Sequence, residues 1–306
     1  MDPRALFTSL RPHQWTKNLL LFAPLALSKH LFDEAPLLRS LGAFALFCGL
    51  SGVVYLVNDV ADVERDRLHP RKRLRPIASG AIAPGTALAF AVLLAALSLA
   101  ASTRLGTPFA LCAVIYLALN LLYSFRLKDI VIVDAISVSL GFVIRAVAGA
   151  VAIGVVFSDW LLICTILLAL FLTFCKRRHE LTSLSGTAVE HRKILSEYSP
   201  YLLDQMIAVV TASCLTAYAF YTTAPETVEK FKTDRLSWTL PFVLYGIFRY
   251  LYLVHQKEQG GSPSDILLAD RPLLAAVGLW ALAIVVIVYT AGGAPMPLHP
   301  LNGTLR

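Results

Sequence analysis

Four oxygen-bearing side chains, Asn58, Asp59, Asp62 and Asp66, sit within the stretch NDVADVERD. On a helix running straight through them, all four would fall within about 100° of arc, with Glu64 on the far side. Carboxylates crowded on one face repel each other and are costly beside a membrane unless a cation joins them. Mg2+ answers that need, because it takes oxygen ligands and is shared between one or two carboxylates and a substrate phosphate. The spacing therefore predicts a metal site at Asn58, Asp59, Asp62 and Asp66, with the three aspartates as its catalytic core. Bases follow at Arg65, Arg67, His69, Arg71, Lys72, Arg73 and Arg75, and Pro70 and Pro76 bar a continuous helix there. Arginine forks match phosphate oxygens, so Arg67, Lys72, Arg73 and Arg75 read as a polyphosphate clamp. The same bases also serve as a topology anchor.

The elements that must position these residues are apolar. Of 306 residues, 57% are hydrophobic and 15% are charged, too few charges for a soluble domain of this size. Segments near 18–33, 39–58, 84–102, 106–123, 130–154, 159–175, 204–222, 237–254 and 273–291 are each about long enough to cross a bilayer core. The expected fold is an all-α polytopic membrane protein of about nine transmembrane helices, forming one domain over residues 1–306. The segment at 18–33 is short and holds Pro24, which predicts a tilted or re-entrant element. With the N-terminus in the cytoplasm, 18 of the 27 Lys and Arg residues fall on inner segments and 7 on outer ones. That bias accounts for the net charge of +7 without nucleic-acid binding, and it places every charged cluster on the cytoplasmic side. Asp2, Arg4 and Arg11 precede the first apolar run, so no cleavable signal peptide is expected. The five cysteines lie in or beside apolar segments without a C-x-x-C pair and read as small buried hydrophobes.

NDVADVERD, followed by Arg75, Pro76 and Gly80, resembles the N-D-x-x-D-x-x-x-D motif of the UbiA superfamily of intramembrane prenyltransferases. The superfamily's second aspartate-rich motif is missing: the sixth segment ends in CKRRHEL instead. In this respect the chain is similar to one branch, the decaprenyl-phosphate phosphoribosyltransferases. RPHQWTKNLLLFAPL (11–25), YSFRLK (123–128) and GFVIRAVAGAVAIG (141–154) match that branch as well.

The resemblance implies a UbiA-like bundle with a cytoplasm-facing active site in a bacterial inner membrane. It implies Mg2+-dependent transfer of 5-phosphoribosyl from phosphoribosyl diphosphate (PRPP) to a polyprenyl phosphate, in cell-wall biosynthesis, and self-association as a trimer. It implies Tyr123 and Lys128 as phosphate ligands, Lys176, Arg177 and Glu180 toward the 5-phosphate and ribose hydroxyls, and Lys17 and Asn18 toward substrate phosphate. Arg145 lies within the fifth segment, where a charge is functional by default; a ligand role and a structural role both stand. Two other readings use the same composition. A polyprenyl diphosphate:aromatic acceptor prenyltransferase would share the fold. A lipid transporter or flippase would explain the spans and Arg145 but not the acidic face, and the chain shows no internal repeat.

Overall fold

A computed structural model describes residues 3–70, 72–183 and 193–299. Among these residues the fold is all-helical. In chain order the first helices are α1 (Pro3–Ser9), α2 (Ala23–Leu27), α3 (Glu34–Ala61), α4 (Val63–Leu68), α5 (Pro84–Ser102) and α6 (Thr107–Phe125). Next come α7 (Val133–Ile153), α8 (Asp159–Ser183), α9 (Pro200–Thr223) and α10 (Pro225–Phe231). The last are α11 (Leu240–Gln256), α12 (Pro263–Ala269) and α13 (Arg271–Thr290). Seven of them, α3, α5, α6, α7, α8, α9 and α13, are long and apolar enough to cross a bilayer. The protein is therefore a multi-pass membrane protein.

Two of the nine expected spans are shorter. The segment near 18–33 is a 3-10 stretch, Pro12–Phe22, running into the five-residue α2. Pro24 has no N–H to give the Leu20 carbonyl, so an α-helix cannot run unbroken through this point. The segment near 237–254 is α11, 17 residues long.

The middle of the bundle is α7, which packs against α3, α6, α8, α2 and the 3-10 stretch. Its buried face is built from small residues, among them Ala135, Ser139, Ala146, Ala148, Gly149 and Ala152, which let neighbouring backbones approach closely. The closest approach is at Gly149, where a Cβ would collide with the Leu21 carbonyl. That contact seats the 3-10 stretch and the residues it carries. The remaining packing falls into two halves. Phe47, Phe109, Tyr116 and Leu21 fill the space among α3, α6, α7 and the 3-10 stretch. Phe171, Ile207, Tyr250 and Leu253 fill the space among α8, α9 and α11. At the end of the bundle away from the charged loops, the segment after α13 is tied down: Met296 N–H donates to Ser28 O at 3.1 Å and His299 N–H to Gly154 O at 2.7 Å.

Candidate active site

The 28 residues of α3 span about 42 Å, more than a bilayer core of about 30 Å, so one end of the helix reaches out of the lipid. Asn58 and Asp59 lie on its last turn. The helix does not continue through all three acids. It ends at Ala61, and Asp62, at φ −99° and ψ 9°, hinges it to α4. The break separates the carboxylates. Asp59 and Asp66 are each 2% exposed and converge on Arg75, whose Nη1 stands 3.1 Å from Asp59 Oδ1 and 2.5 Å from Asp66 Oδ2. Arg11 donates to the same Asp59 oxygen, and Lys72 Nζ is 3.9 Å from Asp66 Oδ1. Asp62 faces Lys128 and Arg65 instead, each 3.7 Å from its Oδ1. Burial fixes the loop that presents Arg75. Ile77 and Ile82 pack with Val53, Leu56, Ala87 and Ala91, and Gly80 turns the chain between them at φ 83°, a conformation that glycine adopts without strain.

A second charged network lies at the start of α7 and the end of α8. Asp134, fully buried, accepts from Arg177 Nε at 2.8 Å. The other guanidinium nitrogens of Arg177 donate to Glu180 Oε2 at 2.7 Å and to the Tyr123 hydroxyl at 3.3 Å. Lys176 Nζ stands 3.7 Å from Glu180 Oε1. The Tyr198 hydroxyl donates to Asp134 Oδ1 at 2.8 Å and accepts from the Ile132 N–H at 2.7 Å. Burial, and then its bond to Asp134, raises the Tyr198 pKa, so the phenol stays neutral and able to donate. Ile132 sits at φ 67°, a strained value for a β-branched residue. The Tyr198 bond is one of the contacts that hold it there.

Between the two networks lies positive charge. Arg145 is 6% exposed and donates to Asn18 Oδ1 at 2.8 Å, Gly141 O at 2.9 Å and the Tyr116 hydroxyl at 2.7 Å. Among the described residues no carboxylate forms a salt bridge with it. Buried charge of this kind calls for a counter-charge. Lys17 feels the same field. Burial first, then Lys176, Arg145 and Arg11, hold its ammonium down to a pKa of about 7, while Asp265 opposes them. Cations gathered in a low-dielectric setting form a ready site for a polyanion.

A family model described as the UbiA prenyltransferase family matches residues 19–264. The chain belongs to that family. Decaprenyl-phosphate phosphoribosyltransferase of Corynebacterium glutamicum is 36% identical over 292 residues, covering 93% of this chain and 86% of the relative. The protein of the same name from Mycolicibacterium smegmatis is 36% identical over 295 residues, covering 93% and 92%. A solved structure of a UbiA homolog from Archaeoglobus fulgidus bound to GPP and Mg2+ superposes with a TM-score of 0.72 at 18% identity, covering 94% of this chain and 100% of the other. That likeness shows the UbiA fold.

A divalent ion fits the donor chemistry at the first UbiA motif. Asp59 and Asp66 already point two carboxylates at one cationic nitrogen, that of Arg75. The four-ligand face expected from the spacing is not assembled, however: among the described residues no three of His, Cys, Asp or Glu are close enough to hold a metal. The hinge at Asp62 is the reason.

Of the expected clamp, Arg75 and Lys72 join the carboxylates. Arg67 pairs with Glu64 at 2.8 Å, and Arg73 is exposed. Arg71 lies outside the described residues. Tyr123, Lys176, Arg177 and Glu180 come together, and Lys128 joins Asp62. Asn18 is enclosed and bonds Arg145, Cys48 and Ser51, the last two at 3.4 Å each. The structure adds Arg11, Asp134, Tyr116 and Tyr198. A signal existed for Asp134, a lone acid entering an apolar run. Arg11 was visible only as a charge before the first apolar run and as the start of RPHQWTKNLLLFAPL.

Proposed function

We infer that the chain transfers a 5-phosphoribosyl group from PRPP to a polyprenyl phosphate, releasing diphosphate. The observation that carries this reading is the 36% identity, over nearly the whole chain, to decaprenyl-phosphate phosphoribosyltransferases. The charge layout supports it. PRPP brings a diphosphate and a 5-phosphate, and the lipid brings a third anionic group. A carboxylate pair with its own bases, a central cation cluster and a second basic network together match that demand.

In this reading the lipid phosphate oxygen attacks ribose C1, the bond from C1 to the diphosphate oxygen breaks, and C1 is inverted. The acceptor is already anionic, so no general base is needed. Asp59 and Asp66 would hold Mg2+, joined by Asn58 and, once it leaves Lys128 and Arg65, by Asp62. When bound, the ion supplies charge neutralisation at the leaving diphosphate. Arg75, Lys72 and Lys128, freed from the carboxylates, bind diphosphate oxygens. Arg177, aimed by Asp134 and Glu180, binds the 5-phosphate with Lys176, while Tyr123 orients it. Lys17 and Arg145 draw in the lipid phosphate. Catalysis is positioning and charge stabilisation. The positive-inside bias puts this end of the bundle, and the N-terminus, in the cytoplasm.

The test is purified protein with PRPP labelled in the ribose, a polyprenyl phosphate and Mg2+. Label entering the lipid fraction is the expected result. No label, with prenylation of 4-hydroxybenzoate from a polyprenyl diphosphate in its place, overturns the reading in favour of an aromatic prenyltransferase.

A further inference from the structure

A groove of about 630 Å³ runs between α9 and α11, away from the carboxylate motif. Its floor holds Ala208 and Ala212, one turn apart and both exposed. Ile207, Leu215, Phe248 and Leu251 form its walls. As α9 is a membrane span, what lies against this surface is lipid, and a trough lined this way accepts a hydrocarbon chain. Two further observations define the rest of the ligand. Thr211 lines the groove, is 8% exposed, and its hydroxyl has no hydrogen-bond partner among the described residues. A hydroxyl buried beside lipid needs an acceptor. An ester carbonyl of a glycerolipid is one, and an isoprenoid chain has none.

At the mouth, Arg178 and Lys257 stand by an acid that lines the groove, Asp204. Arg178 Nε donates to Asp204 Oδ1 at 2.5 Å, and His255 Nε2 lies 3.2 Å from the same oxygen. Lys257 stands 5.8 Å from the ring centre of Tyr252, which also lines the groove. Arginine and lysine at a membrane boundary attract anionic head groups.

We propose that this groove is a binding site for an anionic glycerophospholipid, with the acyl chain along Ala208 and Ala212, an ester carbonyl at Thr211 and the phosphodiester at Arg178 and Lys257. Arg178 also ties the site to the rest of the molecule. Its neighbour on α8, Arg177, turns to a different partner, in the network around Asp134. A lipid head held at Arg178 therefore steadies the turn that presents Lys176, Arg177 and Glu180. The proposal stands on the groove and on the membrane location, independently of which reaction the protein performs.

The experiment uses the full chain in detergent, with lipid retention read by native mass spectrometry and melting read with phosphatidylglycerol or phosphatidylcholine added. The expected result is preferential retention of phosphatidylglycerol and a rise in melting temperature with that lipid alone. Thr211→Val should weaken retention about three- to tenfold, the effect of one hydrogen bond. Ala212→Phe should abolish it. Ala208→Phe serves in its place where Ala212→Phe does not give a monodisperse protein; both positions face lipid, so the larger side chain meets no core. Equal retention of the two lipids overturns the proposal, as does retention indifferent to a filled groove. Stronger displacement by polyprenyl phosphate than by phosphatidylglycerol overturns it in favour of an isoprenoid chain. A change in oligomer mass with lipid retention unaltered overturns it in favour of a second copy of the chain.

Discussion

Lys17 offers a quantitative test of the central cation cluster. Without substrate its ammonium gives up its proton near pH 7 rather than at 10.5, because burial and three neighbouring cations disfavour its charge. A phosphate group against it reverses the balance, since opposite charge favours the charged form. Below pH 7 Lys17 is already protonated, so binding is insensitive to pH through this group. Above pH 7 binding must take up one proton, and with the pKa restored in the complex each further pH unit weakens binding about tenfold, or about 1.4 kcal/mol. The Kd for a polyprenyl phosphate should therefore rise about tenfold from pH 7.5 to 8.5. Second ionisations of phosphate monoesters lie near pH 6, outside this window. Lys17→Arg keeps the charge fixed and should flatten the curve. Calorimetric titration in two buffers of different ionisation enthalpy counts the proton directly. A flat wild-type curve between pH 7.5 and 8.5, or the same slope in Lys17→Arg, would refute the placement of a substrate phosphate at Lys17.

Three further outcomes follow from the geometry. Asp134→Ala leaves Arg177 buried with Glu180 and Tyr123 but without its inner partner, and strips the Tyr198 hydroxyl of its acceptor. Breaking a buried pair from one side costs about 3–5 kcal/mol, and the loss should appear as early thermal inactivation in detergent; unchanged melting would show that the pair does not brace the fold. Gly149→Ala drives a methyl into the Leu21 carbonyl, so the 3-10 stretch carrying Lys17 and Asn18 must shift, with activity falling while the chain still inserts. An alanine variant of wild-type activity would deny that this contact seats the site. Asp62→Asn, at a half-exposed hinge, should lower turnover about 100-fold or more with melting unaltered; full activity would remove Asp62 from the metal site.

The sequence announced the apolar spans, because lipid demands long unbroken hydrophobic runs, and it announced the acid and base blocks, because they lie next to each other in the chain. What it could not show depends on contacts between distant segments. Asp59 meets Arg11, 48 residues away, and Asp134 meets Arg177, 43 residues away; no local pattern encodes either pairing. The break at Asp62 also escaped a periodicity argument. Acids spaced three and four residues apart suit a continuous helix, but the loop after α4 is pinned by Ile77 and Ile82, and the backbone turns to let Arg75 reach both Asp59 and Asp66. The break after residues 12–22 follows from Pro24, and their position from the seat at Gly149. Pro24 was legible as a breaker, but the seat was not. Asn18 was expected at substrate; in the structure its Oδ1 accepts from Arg145.

The most direct measurement uses PRPP carrying one label in the ribose ring and a second in the diphosphate. It is incubated with purified protein, a polyprenyl phosphate and Mg2+, beside chelator and Asp62→Asn controls. The expected result is ribose label in the lipid fraction, an equal amount of label released as free diphosphate, and neither product in the controls. Diphosphate label entering the lipid, or no transfer of either label by active protein, would contradict displacement at ribose C1.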